Sequence, residues 1–178
     1  NDALRSLVLF DLPYAMGTVV AARLEMMVVD FPRSTDQVFQ LDAHAVVESG
    51  DRTPWVEGNG TSRHANNRDL LRPEVASGVA WIDDVNNLAQ PDFDPVRAAR
   101  TSVVQADTNY RDWVSWDVTD LVNDWLAGRV PNFGVVIRDT KSDGVHRTVQ
   151  FTSRDALLWY EGQTGARGPG PQLVLIYQ

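Results

Sequence analysis

The sequence predicts an all-β domain, a sandwich or jelly roll with one short helix packed on it. Three observations lead there: two long stretches alternate apolar and polar residues, turn chemistry separates many short apolar runs, and only one segment carries a helical stripe. In the first stretch Val20, Ala22, Leu24, Met26 and Val28 share one face, while Arg23 and Glu25 fall on the other. In the second, Phe39, Leu41, Ala43, Ala45 and Val47 oppose Gln40, Asp42, His44 and Glu48. A period of two marks a strand with one buried and one wet face. Shorter strands are expected at Arg5–Leu12, Thr101–Gln105, Trp113–Val118, Phe133–Asp139, Arg147–Ser153 and Gln172–Tyr177. Pro13 to Gly17, Pro131-Asn132, Ser142-Asp143-Gly144 and Gly168-Pro169-Gly170-Pro171 supply the turns between them.

The helix is expected over about 118–127, because Val118, Leu121, Val122, Trp125 and Leu126 recur at helical spacing and form one stripe. Asp117 or Thr119 suits its N-terminal cap, and Gly128 suits the position past its C-terminus. So short a helix is stable only when packed on the sheets. Many short strands with one docked helix give the sandwich. The tract Ser49 to Arg100 shows little alternation and reads as loops or hidden short strands. No internal repeat or linker divides the chain, so residues 1–178 are read as a single domain.

Composition narrows the function. A net charge of −8 argues against nucleic acid, since phosphate binding needs a basic surface. The absence of cysteine excludes disulfides, thiolate catalysis and cysteine-ligated zinc. No apolar run approaches the roughly 20 residues of a membrane-spanning helix. The nucleophile-elbow, zinc-protease and phosphate-loop motifs are all missing from the sequence, so a non-catalytic role is expected. His44, His64 and His146 are far apart in the chain, with His44 on the polar face of its strand pattern.

Several segments together resemble the DNRLRE domain family. Leu7 to Pro13 followed by Val19 to Leu24 resembles that family's opening, and Trp55-Val56-Glu57-Gly58-Asn59-Gly60-Thr61 resembles its central loop. Val79-Ala80-Trp81, Pro91-Asp92-Phe93-Asp94 and Trp116-Asp117-Val118-Thr119-Asp120-Leu121-Val122 follow in the family's order. So do Pro131 to Arg138, Phe151-Thr152-Ser153-Arg154-Asp155 and the closing Pro171 to Tyr177. A weaker likeness, to transforming growth factor beta prodomains, covers the Trp116 to Gly134 stretch and not Trp55–Thr61 or the C-terminal elements. The stronger resemblance implies a β-sandwich module of secreted or cell-surface prokaryotic proteins, some of which bind acidic polysaccharides. It also implies a further N-terminal strand segment that this sequence does not show, and it makes Ala156–Gly168 an insertion.

Phe10, Leu12, Trp116, Trp125 and Phe133 lie in apolar patterns and are assigned to the core. Sugar rings stack on outward-facing aromatics, and Tyr110, Trp113, Trp159 and Tyr160 are the candidates for that role. Trp113 falls on the face opposite Val114 and Trp116, whereas Trp159 and Tyr160 sit in the insertion, free to bind or to fold back on the sandwich. Asp83, Asp84, Asp92 and Asp94 form either a calcium site or a solvated acidic loop, since calcium needs several hard oxygen donors close together. Two functions follow as expectations. One is a non-catalytic extracellular module that binds a polysaccharide or cell-surface glycan, or adheres through it. The other is a structural subunit joined to copies of itself through an open sheet edge near residues 5–12, completed by a donated strand.

Overall fold

A computed structural model describes residues 5–12, 17–31, 37–48, 64–65, 79–80, 92–96, 98–109, 111–140, 148–152 and 169–178. Two antiparallel sheets share one core. The first contains β1 (Arg5–Val8), β3 (Val38–Ala45), β6 (Ala99–Val104) and β8 (Val135–Asp139), in the spatial order β1-β8-β3-β6. The second has the order β10-β2-β7, from β2 (Val19–Asp30), β7 (Trp113–Asp117) and β10 (Gln172–Tyr177). A separate pair joins β4 (His64–Ala65) to β5 (Val79–Ala80), inside the tract that shows no periodicity. β9 (Gln150–Phe151) also pairs with β2.

Alternation explains the core. Ala22, Leu24, Met26 and Val28 of β2, Phe39, Leu41 and Ala43 of β3, and Val114 and Trp116 of β7 turn inward and are buried together. Trp116 ties the sheets to each other, its indole N–H donating to the Leu41 carbonyl at 2.9 Å. A single turn of tighter helix, Gln105–Asp107, carries the chain from β6 towards β7 and closes that side of the sandwich. β1 and β10 are the outer strands on the other side. β10 and β9 lie in tandem along one edge of β2: residues 172–177 oppose 25–19, Phe151 opposes Val28, and Thr152 N–H donates to Met27 O at 2.9 Å. The Thr152 hydroxyl donates to Pro169 O at 2.7 Å, tying the end of β9 to the approach to β10.

α1 (Thr119–Leu126) begins and ends one residue inside the expected bounds. Its buried stripe is Leu121, Val122 and Trp125. Neither expected residue is the N-cap: Val118 holds that position without a side-chain bond. Asp117 acts from one residue earlier, its Oδ1 accepting the Thr119 N–H at 3.0 Å. The Thr119 hydroxyl instead accepts from the β2 amide of Ala22 at 2.9 Å. At the other end Gly128, with φ +66°, lets its own N–H reach Trp125 O and the Arg129 N–H reach Asp124 O, satisfying carbonyls of the last turn.

The turn before β8 clamps β1. Asn132 donates from Nδ2 to Phe10 O at 2.9 Å and accepts the Gly134 N–H at 3.1 Å. Gly134 has φ +90°, and a Cβ there would stand 2.3 Å from Val8 O, so only glycine fits. β1 ends at Val8 rather than Leu12; Phe10 and Leu12 still pack against the core. Phe133 packs elsewhere, with Leu7 on a second cluster of Val46, Phe93 and Val136 on the outer face of the first sheet.

That outer face corrects an expectation. The alternation predicts a wet face for Asp42 and His44, yet they retain only 3% and 5% of their exposure. Residues 92–96 and Ala98 follow the edge of β3, with Asp94 N–H donating to Ala45 O and Ala98 N–H to Ala43 O, and Phe93 lies over the sheet. The Phe93 ring lies 5.1 Å from the His44 ring and 5.0 Å from the Arg138 guanidinium.

Candidate binding face

The second sheet presents a different outer surface. β7 alternates exposed and buried residues from Trp113 to Asp117, so Trp113, Ser115 and Asp117 turn away from the core. Trp113 keeps 42% of its exposure. Register places Met27 beside Trp113, Glu25 beside Ser115 and Arg23 beside Asp117 on β2. The face is a ladder: the exposed Trp113 indole, whose neighbour Met27 is buried, then a hydroxyl and carboxylate rung, then a carboxylate and guanidinium rung. Successive rungs are about 7 Å apart, the advance of two strand residues. Arg23 and Glu25 also approach each other, with Nε 3.4 Å from Oε1. Asp117 accepts the Thr119 hydroxyl at 2.6 Å as well as its N–H, and these bonds hold its carboxyl below the ordinary aspartate range.

The loop entering β7 aims Trp113. Arg111 is the non-glycine residue with positive φ among those described, at 78°, and its N–H donates to Val28 O at 2.8 Å. Asp112 closes the turn by accepting the Asn109 N–H at 2.7 Å on Oδ2. A residue held left-handed without being glycine costs about 1–3 kcal/mol and persists where its surroundings over-determine it. Here the over-determination comes from the Val28 and Asp112 bonds on either side.

The outer face of the first sheet is polar but closed. Arg100 of β6 grips Asp42 with Nε at 2.5 Å from Oδ1 and Nη2 at 2.7 Å from Oδ2, and it also donates to the Thr140 hydroxyl at 3.2 Å. Burial raises the Asp42 carboxyl, but the Arg100 bonds and charge outweigh it and leave the group below its ordinary range. His44 Nδ1 lies 2.9 Å from Asp94 O, so that nitrogen carries the proton. Its Nε2 has no partner among the described residues. Burial lowers the imidazole; the Asp94 carbonyl pulls it back up and the Arg138 charge pushes it down again, leaving the ring neutral at pH 7. This arrangement joins β3, β6 and β8 rather than offering a surface.

Of the four aromatic candidates, Trp113 stands where its strand parity puts it, while Tyr110, Trp159 and Tyr160 lie outside the described residues. Asp83 and Asp84 lie outside them too. Asp92 is buried, with its carbonyl accepting the Val47 N–H, and Asp94 Oδ1 accepts the Val96 N–H at 2.8 Å. Among the described residues no group of three or more histidine, aspartate or glutamate side chains is placed to hold a metal ion. Among those residues, too, no helix is long and apolar enough to cross a membrane. Ser115 and Asp117 could be found from the sequence by parity with Trp113. Met27, Glu25 and Arg23 could not be placed beside them, because cross-strand register is not written in either strand alone. Comparison with protein-family models, curated proteins and solved structures finds no match to this chain.

Proposed function

We propose that this chain is a non-catalytic β-sandwich module of a secreted or cell-surface protein that binds a polysaccharide on the outer face of its second sheet. One observation carries the reading: Trp113 stands exposed at the head of a ladder of hydrogen-bonding side chains on a rigid strand. A pyranose ring stacks its C–H face on an indole, and groups about 7 and 14 Å further along reach the hydroxyls of the following sugars. Arg23, with an exposed side chain, supplies a cation for a uronate or sulfate on the sugar. The resemblance to the DNRLRE domain family supports the same class of ligand. Affinity electrophoresis and titration calorimetry against neutral and acidic polysaccharides test it. The native chain is expected to bind at least one, and Trp113→Ala to weaken that binding about tenfold or more while leaving the fold intact. Binding untouched by Trp113→Ala removes this face from the function.

A second reading, a structural subunit completed by a donated strand, rests on the position of β1. Among the described residues β1 has β8 on one side and no strand on the other. An unpaired edge accepts an incoming strand through main-chain bonds. Electron microscopy of the native material separates the readings: a filament with a foreign strand beside residues 5–8 supports assembly, and isolated particles support the binding module.

A further inference from the structure

We propose that β10 pairs with β10 of a second copy of the chain, antiparallel and about a two-fold axis at Leu175, to form a symmetric dimer. The inference is independent of the sugar-binding reading and concerns a different edge from β1.

The direction of the β10 main chain follows from β2. Ala22 O accepts from Val118 N–H, and Val28 exchanges bonds with Asp112 O and Arg111 N–H, so even-numbered β2 residues turn their peptide groups towards β7. Odd-numbered residues therefore turn towards β10, where Arg23 opposes Val174, Glu25 opposes Gln172 and Ala21 opposes Ile176. In an antiparallel pair the residues facing a hydrogen-bonded neighbour alternate with residues facing away. Leu173 and Leu175 thus present their N–H and C=O groups on the outer edge; beyond the register shift Gln178 N–H donates to Thr18 O, so Tyr177 faces outward too, and β10 has no strand on that side among the described residues.

Charge selects the occupant. Copies of a chain carrying −8 repel one another, so they meet where the surface bears no charge. Four strands end the two main sheets. β1 includes Arg5, β6 includes Arg100 and β7 includes Asp117, whereas Gln172-Leu173-Val174-Leu175-Ile176-Tyr177-Gln178 has no charged residue. Sheet edges that stay single are ordinarily protected by charge, proline or a bulge. Here the bulge falls at the last step, between Ile176 and Tyr177, and the central residues are straight and apolar. Ile176 and Tyr177 keep 47% and 40% of their exposure and Val20 beside them 47%, an apolar patch at the open end of this edge.

The sequence is also self-complementary. With the axis at Leu175, Leu173 faces Tyr177 of the other copy and Val174 faces Ile176, so apolar side chains meet apolar side chains in both halves. The three outward-facing residues then form hydrogen-bonded pairs at 173 with 177, 175 with 175, and 177 with 173. The contact is isologous, uses each edge once and closes at two copies.

Light scattering coupled to gel filtration, on the full chain over a range of concentrations, tests the pairing. The native chain is expected to show the mass of two copies. Val174→Lys with Ile176→Lys sets four like charges across the axis and is expected to give a folded monomer. Val174→Lys with Ile176→Glu sets each lysine opposite a glutamate and is expected to restore the dimer. Val174→Cys with Ile176→Cys, in a chain with no other cysteine, is expected to form a covalent dimer on mild oxidation. That last variant decides the matter if the lysine variant fails to fold. A native chain that stays monomeric at about 100 μM, a lysine pair that still dimerises, or a cysteine pair that stays unlinked overturns the proposal.

Discussion

The two outer faces of this sandwich start from the same kind of strand and end in opposite states. β3 and β7 both alternate apolar and polar residues, and in both the apolar set faces the shared core. On β7 the outer set stays in water and keeps Trp113 accessible. On β3 the outer set is roofed by Phe93 and locked by the Asp42–Arg100 pair and the His44–Asp94 bond. A polar residue in an alternating strand therefore marks an outward direction, not exposure. What decides exposure is whether another part of the chain returns to cover it. The covered face is committed to holding three strands together, and the outer side chains of β7 stay in contact with solvent.

The largest effect expected from breaking this contrast is an exchange of aromatics for alanine. Phe93→Ala removes a buried ring and is expected to destabilise the chain by about 3 kcal/mol or more. Trp113→Ala removes a larger ring from the open face and is expected to cost at most about 1 kcal/mol. Urea denaturation of the two variants checks this; equal losses would erase the distinction between the faces.

Next in size is the clamp on β1. Gly134→Ala forces a left-handed backbone on alanine and drives its Cβ into Val8 O, an expected loss of about 2 kcal/mol or more. Asn132→Ala removes the bonds to Phe10 O and Gly134 N–H and is expected to lose about 1–2 kcal/mol. Thermal melts read both. If both variants melt with the native chain, β1 is held by something other than this turn.

Acid sharpens the comparison further. Asp42 has a folded pKa below its unfolded value, so its contribution to stability is complete above the unfolded value and is lost as pH falls through the folded one. His44 is lowered as well; the unfolded chain takes up that proton first, so stability falls with pH from the range where a free histidine titrates down to where folded His44 titrates. Denaturation midpoints measured from pH 8 to pH 3 are expected to decline in two stages, with His44→Gln removing the first and Asp42→Asn flattening the second. Asp117 is lowered too, but it stands in solvent on the open face. Asp117→Asn is therefore expected to change the acid limb least. An acid limb dominated by Asp117 would place the stabilising electrostatics on the wrong face.

Much of this fold was legible in the sequence. Gln172–Tyr177 was read with the bounds it has, the helix to within a residue at each end, and the outward direction of Trp113 from parity alone. These are local properties, set by periodicity and by Gly128 at the helix end. The roof over β3 was not legible, because Phe93 lies far along the chain in a tract without periodicity, and Arg100 meets Asp42 only after β6 has paired with β3. The clamp was half legible: Asn132 read as a turn residue, and its reach to Phe10 O depends on where β1 comes to rest. The tandem placing of β9 and β10 on one edge of β2 was hidden for the same reason.

The most direct test of the open face as the binding face is a titration followed by amide and indole NMR shifts. An isotopically labelled chain is titrated with a short oligosaccharide from whichever polysaccharide it binds. The expected shifts gather at Arg23, Glu25, Ser115 and the amide and indole N–H of Trp113, with Asp42, His44 and Val136 unmoved. Shifts that gather instead on Asp42, His44 and Val136, or along residues 5–8, would contradict the assignment of the open face as the place where this protein meets its ligand.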